Sequence, residues 1–385
     1  MHVVMVGPYP DDASEIVRGV ESVTWTLIQA LREHRDLAID VIRTGSVARL
    51  AKSSRDGITV WTVPRMERFG NVTLGVLERA RTRAVLRVIR PDVIHNQYHF
   101  AYPYLFSQPI APIVTHVHGL TFRERRYERE RFDWFRSLVG TLLERRALAV
   151  APRVICVSEY VRRAVERRAH GALHIVENPI DPSYFAVRSA EDGAAILTVG
   201  AIIRRKNLLD LFRALKRLQT PNVHLRVVGV VEERDYHQQL LEHIQAEQLE
   251  SQVHFLGRLG HSELLQEYAA CSVVASASSE ESAGLSLEQA MAAGKAIVAT
   301  RAGGIPDVVR DRDCGLLCEP GDVGEFTDAL DRVLGSPALR SSLGESAKRD
   351  AQSRFSPDLA AAKIRAIYEE MLTSGVPRVG AGVAS

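Results

Sequence analysis

The chain has 385 residues, of which 46% are hydrophobic and 25% charged, and its formal net charge is +2 at pH 7. That length accommodates two domains at roughly 150 residues each, and the balance of apolar and charged residues excludes a disordered, fibrous or membrane-spanning chain. A net charge this small gives no reason to expect nucleic acid as a partner.

The opening Met1-His2-Val3-Val4-Met5-Val6 has no basic region ahead of a long apolar run, so it predicts the first strand of a fold and not a secretion signal. A cytoplasmic location is the expectation that follows. Short β-branched runs then alternate with helical periodicities, the pattern of parallel sheets with crossover helices, and the class is α/β. In the first half strands are predicted at 2–6, 38–42, 58–63, 92–95, 113–116, 154–157 and 174–176. Val23, Leu27, Ala30 and Leu31 share a helical face, and a second helical pattern over 72–89 stops before Pro91.

Glu177-Asn178-Pro179-Ile180-Asp181-Pro182-Ser183 interrupts the series with two prolines and is predicted to link the domains. The second half predicts strands at 195–199, 224–228, 253–256, 272–275, 296–299 and 316–318, and helices at 207–218, 235–248, 262–270 and 323–334. The expected organisation is a first domain over 1–180, a second over 181–356, a terminal helix over 357–374 that packs back toward the first domain, and a disordered tail over 375–385. Cys156, Cys271, Cys314 and Cys318 lie in apolar segments without zinc-ligand spacing and are expected to be buried thiols.

In open parallel sheets ligands bind beyond the carboxyl ends of strands, where a helix start directs backbone N–H groups at an anion. Strand 2–6 leads to Arg18-Gly19-Val20-Glu21, where Gly19 would let a phosphate approach the backbone. Strand 195–199 leads through Gly200 to Arg204-Arg205-Lys206 ahead of a predicted helix start, where adjacent cations oppose the helix dipole and suit a bound polyanion. A solvated basic turn is the competing account of that stretch. After strand 272–275 comes Glu280-Glu281-Ser282-Ala283-Gly284-Leu285, whose acceptors could grip sugar hydroxyls or simply suit the helix that follows.

In order and spacing these segments resemble glycosyltransferase family 4, the retaining group with two Rossmann-like domains facing a central cleft, the GT-B fold. The resemblance runs over nearly the whole chain: the glycine loop at Gly19, Pro91–His95, Val117-His118-Gly119, Val157-Ser158-Glu159, Asn178-Pro179-Ile180-Asp181, Gly200–Asn207, Val227-Val228-Gly229, Phe255-Leu256-Gly257, Glu281–Lys295 and Gly303–Val309. It implies a metal-independent, cofactor-free hexosyltransferase of carbohydrate biosynthesis, moving a sugar from a nucleotide diphosphate to a hydroxyl of a glycan, a lipid-linked molecule or a small molecule. Lys206, Glu281 and His118 would serve the reaction: Lys206 on the departing diphosphate, Glu281 on donor-sugar hydroxyls, His118 across the cleft. A satisfied buried histidine is the competing account of His118. Gly19, Gly200, Arg204, Arg205, Leu256, Gly257, Ser282, Ala283, Gly284, Leu285, Glu288 and Gln289 would complete the donor site.

Two positions depart from the family. Ala201 stands where an arginine often follows the glycine of the phosphate turn, leaving the charge to Arg204, Arg205 and Lys206. The paired glutamates read either as Glu280 with Glu288 or as Glu281 with Gln289, and the second register fits both flanks. A dehydrogenase reading lacks any Gly-x-Gly-x-x-Gly after a strand, and a P-loop is absent because Gln289 opens the frame that ends in Gly294-Lys295. Asp311-Arg312-Asp313 has the spacing of a metal-binding acid pair but sits in a polar turn. A sugar-nucleotide epimerase of the same architecture and a non-catalytic two-lobed sugar- or nucleotide-binding protein remain as alternatives. Finally, 122–146 interleaves arginines with aromatics around five acids, which suits either a peripheral contact with the inner face of a membrane or a solvated, protein-packed helix.

Overall fold

A computed structural model describes residues 1–10, 16, 19–55, 57–64, 76–97, 110–124, 127, 142, 144, 145, 147–149 and 151–373. Arg18, most of 122–146 and the tail expected at 375–385 lie outside the described residues.

Among the described residues the first sheet contains β1 (His2–Val6), β2 (Ala38–Gly45), β3 (Ala51–Arg55), β4 (Ile58–Pro64), β5 (Val93–Asn96), β6 (Ile113–Val117), β7 (Arg153–Cys156) and β8 (Ala172–Ile175). Their order is β3-β4-β2-β1-β5-β6-β7-β8. The second sheet contains β9 (Ala194–Val199), β10 (Val223–Val228), β11 (Val253–Gly257), β12 (Val273–Ser276), β13 (Ala296–Thr300) and β14 (Leu316–Cys318), ordered β11-β10-β9-β12-β13-β14. That second order is the 3-2-1-4-5-6 arrangement of dinucleotide-binding sheets, with its reversal of direction between β9 and β12. The first sheet reverses likewise between β1 and β5.

The central strands read as unbroken apolar runs because helices cover both their faces: Val3, Val4 and Met5 of β1 and Ile196 and Leu197 of β9 have no exposed surface. β3 is the exception. It is antiparallel to β4, exposed throughout, and has no apolar residue but Ala51, so periodicity did not predict it. Lys52 and Arg55 on this edge discourage pairing with another chain.

The helix Val323–Leu334 has the predicted bounds, whereas the helix Pro337–Arg354 was not predicted. It buries Leu343, Gly344, Ala347, Asp350 and Ala351, a face too small and mixed to show apolar periodicity. Ser336, whose side chain accepts from Leu339 N, and Pro337 at the helix start were the available signals. All four cysteines are buried thiols.

The chain crosses between the sheets twice, and the crossings touch where Ile180 N donates to Phe355 O at 3.0 Å. Beyond the second crossing the helix Pro357–Thr373 lies on the first sheet's side, where Ala360, Ile364, Tyr368 and Met371 share a core with Val3, Met5, Leu27 and Leu31. Arg365 pairs with Asp36 at 2.7 Å and Arg153 with Glu370 at 2.9 Å along the same contact.

Candidate active site

The turn after β9 is shaped by close backbone approach. A Cβ on Gly229 would lie 1.8 Å from Gly200 O, and one on Gly200 would lie 3.0 Å from Lys206 Cε. Lys206 therefore folds back over the end of β9. Residues Arg204–Lys206 form one 3-10 turn, Asn207 takes a left-handed conformation at φ 48°, and the helix Leu208–Arg217 starts only then, so the cations precede it by a turn.

Arg205 and Lys206 converge on Glu281, which follows β12 across the switch point. Lys206 Nζ donates to Glu281 Oε1, Arg205 Nη1 lies 3.2 Å from Oε2, and Ser278 Oγ donates to Oε1 at 2.9 Å. Burial pushes the Glu281 carboxyl upward, but Lys206, Arg205 and the hydrogen bonds outweigh it and bring the group down to about 2. The pair of cations thus comes with a buried, ionised acid. The loop holding Glu281 and Ser282 lies tight on Gly303 and Gly304, where a Cβ would come within 2.1 Å of Glu281 O and 2.2 Å of Ser282 O respectively. Gly304 N donates to Glu281 O at 2.8 Å. Ser282 and Ala283 are buried, Gly284 takes φ +96°, and the helix Leu285–Ala292 follows.

Two residues expected at the donor site do not join this constellation. Arg204 turns outward: it bonds Asp235 at 2.5 Å and Gln239 at 2.9 Å and lies over the Tyr236 ring. Its charge is taken up by carboxylates of the neighbouring loop, which leaves Arg205 and Lys206 as the cations of the turn. Glu288 is fully buried on the linker side of its helix and accepts from Asn178 Nδ2 at 2.9 Å, while its Oε1 has no partner. Burial raises it to about 8, so it is a neutral acid near pH 7. Gln289, in the other register, accepts from the Tyr268 hydroxyl at 3.2 Å. Leu256 and Gly257 end β11 beside the same turn, since Gly229 N donates to Gly257 O at 2.8 Å.

The first domain contributes Gly19 and His118. A Cβ on Gly19 would stand 3.1 Å from Leu285 Cδ2, so the two halves of the cleft meet there. His118 Nε2 is 2.6 Å from Gln97 Oε1 and its ring stacks on His116 at 4.2 Å. Burial lowers His118 to about 4 against the influence of Asn178, so the imidazole is neutral. Behind it, Gln97 Nε2 is 3.3 Å from His95 Nε2, which is also 3.3 Å from His116 Nδ1, and His95 Nδ1 is 2.5 Å from the Tyr368 hydroxyl.

Sequence reasoning missed the residues that fasten the first domain to the loop carrying Glu280, Glu281 and Ser282. Ser158 Oγ donates to Ser282 O at 2.5 Å, Tyr160 N donates to Asp307 Oδ2 at 2.5 Å, and the Tyr160 hydroxyl bonds both Glu280 and Arg123. Only the Val157-Ser158-Glu159 segment marked the place. Asp311 and Asp313 are used locally, by Arg301 at 2.7 Å and Arg310 at 3.1 Å. Of 122–146, Phe122 packs under Arg168 and donates its backbone N–H to Glu144 Oε2 at 3.3 Å, and the Tyr127 hydroxyl donates to Ser279 O at 3.0 Å. Among the described residues no helix is long and apolar enough to cross a membrane.

Two family profiles match the chain: Glycosyltransferase Family 4 over residues 17–184 and Glycosyl transferases group 1 over residues 181–350. An α-(1→4)-mannosyltransferase of Mycolicibacterium hassiacum, named MMP alpha-(1->4)-mannosyltransferase, is 29% identical over 273 residues, covering 68% of this chain and 66% of that protein. The D-inositol 3-phosphate glycosyltransferase of Corynebacterium jeikeium is 34% identical over 190 residues, covering 44% of this chain and 45% of that protein. The chain thus spans just under two thirds of the first relative's length and under half of the second's. In fold it is similar to sucrose-phosphate synthase from Thermosynechococcus elongatus, with TM-score 0.85, 20% identity and coverage of 97% and 100%. It is also similar to Anabaena Alr3699/HepE in complex with UDP and glucose, with TM-score 0.74, 21% identity and coverage of 95% and 99%.

Proposed function

The chain belongs to the family 4, or group 1, glycosyltransferases of GT-B fold, and on that premise we propose that it transfers a sugar from a nucleotide diphosphate sugar to an acceptor hydroxyl with retention of anomeric configuration. The observation that carries the donor assignment is the convergence of Lys206 and Arg205 on buried Glu281 at the switch point of the second sheet. Diphosphate gains charge as the glycosidic bond breaks, and two cations held in place before the reaction stabilise that charge without reorganising. Glu281 orients both cations and, being ionised, accepts bonds from donor-sugar hydroxyls. Neutral His118 faces the donor from the first domain. Charge neutralisation by side chains is expected to serve without a divalent metal, and activity should persist in a chelator. The bound nucleotide of the Anabaena structure makes UDP-sugars the first donors to try.

The test is a panel of nucleotide sugars, read by thermal shift and then by acceptor-dependent glycoside formation. Lys206→Ala should cost about 2–5 kcal/mol of diphosphate binding or transition-state stabilisation. Glu281→Gln should lower turnover by at least ~10²-fold, while nucleotide diphosphate affinity stays the same or tightens because the cations lose a competing anion. Full activity in Lys206→Ala, or loss of parent activity to chelator, would overturn the assignment.

A further inference from the structure

The adjacent residues Glu280 and Glu281 turn their carboxylates to different partners. Glu281 takes Lys206, Arg205 and the Ser278 hydroxyl. Glu280, half-buried one residue away, makes no ion pair among the described residues, although Arg205 Nη1 donates to its backbone carbonyl at 2.7 Å. Its carboxylate instead accepts from the Tyr160 hydroxyl of the first domain. The direction of that contact is fixed. Arg123 Nη1 donates to the same hydroxyl oxygen, a guanidinium can only donate, and a phenol has one proton, which therefore goes to Glu280 Oε1. The Arg123 guanidinium also lies over the Tyr160 ring at 4.6 Å, placing positive charge behind the hydroxyl. Tyr160 is held from the second domain as well, since its backbone N–H, at the start of the helix Glu159–Val165, donates to Asp307 Oδ2 at 2.5 Å.

We propose that Tyr160 is a positioning residue: with Arg123 it claims Glu280, and so leaves Glu281 as the one carboxylate that orders Arg205 and Lys206. A carboxylate with no cation of its own, beside a guanidinium that already touches its backbone, turns to that guanidinium unless something holds it away. Arg205 would then be shared between two acids, and a bound diphosphate would compete with both. The first domain in this way sorts two chemically identical groups of the second. Ser158 and Tyr127 act differently, because their hydroxyls donate to the carbonyls of Ser282 and Ser279, at 2.5 Å and 3.0 Å, and hold backbone alone. The consequence for a diphosphate rests on the reading above; the sorting of the two carboxylates does not.

The test is Tyr160→Phe in the full chain, which removes the hydroxyl and keeps the ring and the backbone N–H. In its ligand-free crystal structure the Glu280 carboxylate should lie within about 4 Å of the Arg205 guanidinium or the Lys206 ammonium. Inorganic pyrophosphate, a probe that needs no nucleobase, should bind this variant at least about threefold more weakly than the parent by calorimetry. Adding Glu280→Gln to Tyr160→Phe should bring the affinity back to within about twofold of the parent, because the freed group no longer carries charge; a merely structural lesion would not be repaired this way. Glu280→Gln alone should change pyrophosphate affinity by less than about threefold, which decides the matter if Tyr160→Phe does not fold. The proposal is overturned if Glu280 still faces the first domain in Tyr160→Phe, or if Glu280→Gln does not restore a weakened affinity. It is overturned equally if Glu280→Gln alone tightens pyrophosphate binding by about threefold or more. Should no form of the protein bind pyrophosphate or any nucleotide diphosphate, the donor reading falls, and the crystal structure of Tyr160→Phe still decides the sorting.

Discussion

Glu288 is a carboxyl wholly enclosed by protein, and one bond from Asn178 with a distant Arg354 does not offset its loss of water. Between its ordinary 4.5 and its folded value of about 8, the native protein holds a proton that the unfolded chain has released. Stability should therefore fall as pH rises through that window. Glu281 has the opposite sign: its contribution is present above 4.5 and is lost as pH falls toward about 2. Glu288→Gln keeps a neutral group of the same shape, so relative to the parent it should gain on the order of 1–3 kcal/mol between about pH 5 and pH 8. Urea unfolding at the two pH values measures the difference. A variant that tracks the parent at both would show that the carboxyl is not held neutral.

At the scale of elements, the site depends on two loops pressed together, one carrying Glu281 and Ser282 and the other Gly303 and Gly304. Gly303 combines φ +56° with a would-be Cβ 2.1 Å from Glu281 O, so an alanine meets both backbone strain and a backbone clash. Gly303→Ala should destabilise by about 2–4 kcal/mol and, by displacing Glu281, should lower turnover more than a distant change of equal stability cost. Thermal unfolding and kcat measured together separate the two effects. The Pro337–Arg354 helix shows the same device, since a Cβ on Gly344 would lie 2.2 Å from Gly294 O at the end of the Leu285–Ala292 helix. Close packing through glycine, with little apolar surface, is why this helix escapes periodicity.

The whole molecule is two sheets joined by crossings that touch at Ile180 and Phe355, with Glu177 bonded to Lys363 at 2.9 Å and lying 3.7 Å from Arg354. Among the described residues the domains meet across the cleft through Ser158 with Ser282, Tyr160 with Glu280 and Asp307, and Tyr127 with Ser279, through Gly19 against Leu285, and through an apolar cluster that takes in Val157 and Val161 of the first domain and Ala302 and Ile305 of the second. On the proposed function, a nucleotide diphosphate bound by the second domain would add a contact that favours a closed form. Small-angle scattering should show the protein becoming more compact with nucleotide sugar. Gly19→Trp should wedge the closed form open, lowering turnover at least ~tenfold while nucleotide diphosphate still binds the second domain. Unchanged turnover in that variant would remove Gly19 from the cleft.

The sequence by itself determined the α/β class, most strands to within a residue or two, the glycine turns and the presence of Arg205, Lys206 and Glu281 at strand ends. These features are written in local terms: apolar runs for strands covered on both faces, glycine where backbone approaches backbone, charge at strand-to-helix turns. Only the tertiary structure decided which cations face the site. Arg204 and Arg205 are adjacent and chemically identical, but Glu233 and Asp235 draw the first outward while Glu281 draws the second in. It likewise decided the fate of Glu288 and Gln289, because a helix turns neighbouring residues by about 100° and packing determines which face meets the linker and which meets Tyr268. The line of contacts from Tyr368 to His118 was beyond local reading for the same reason. Tyr368 and His95 are 273 residues apart, and only the return of the terminal helix to the first sheet brings them within a hydrogen bond.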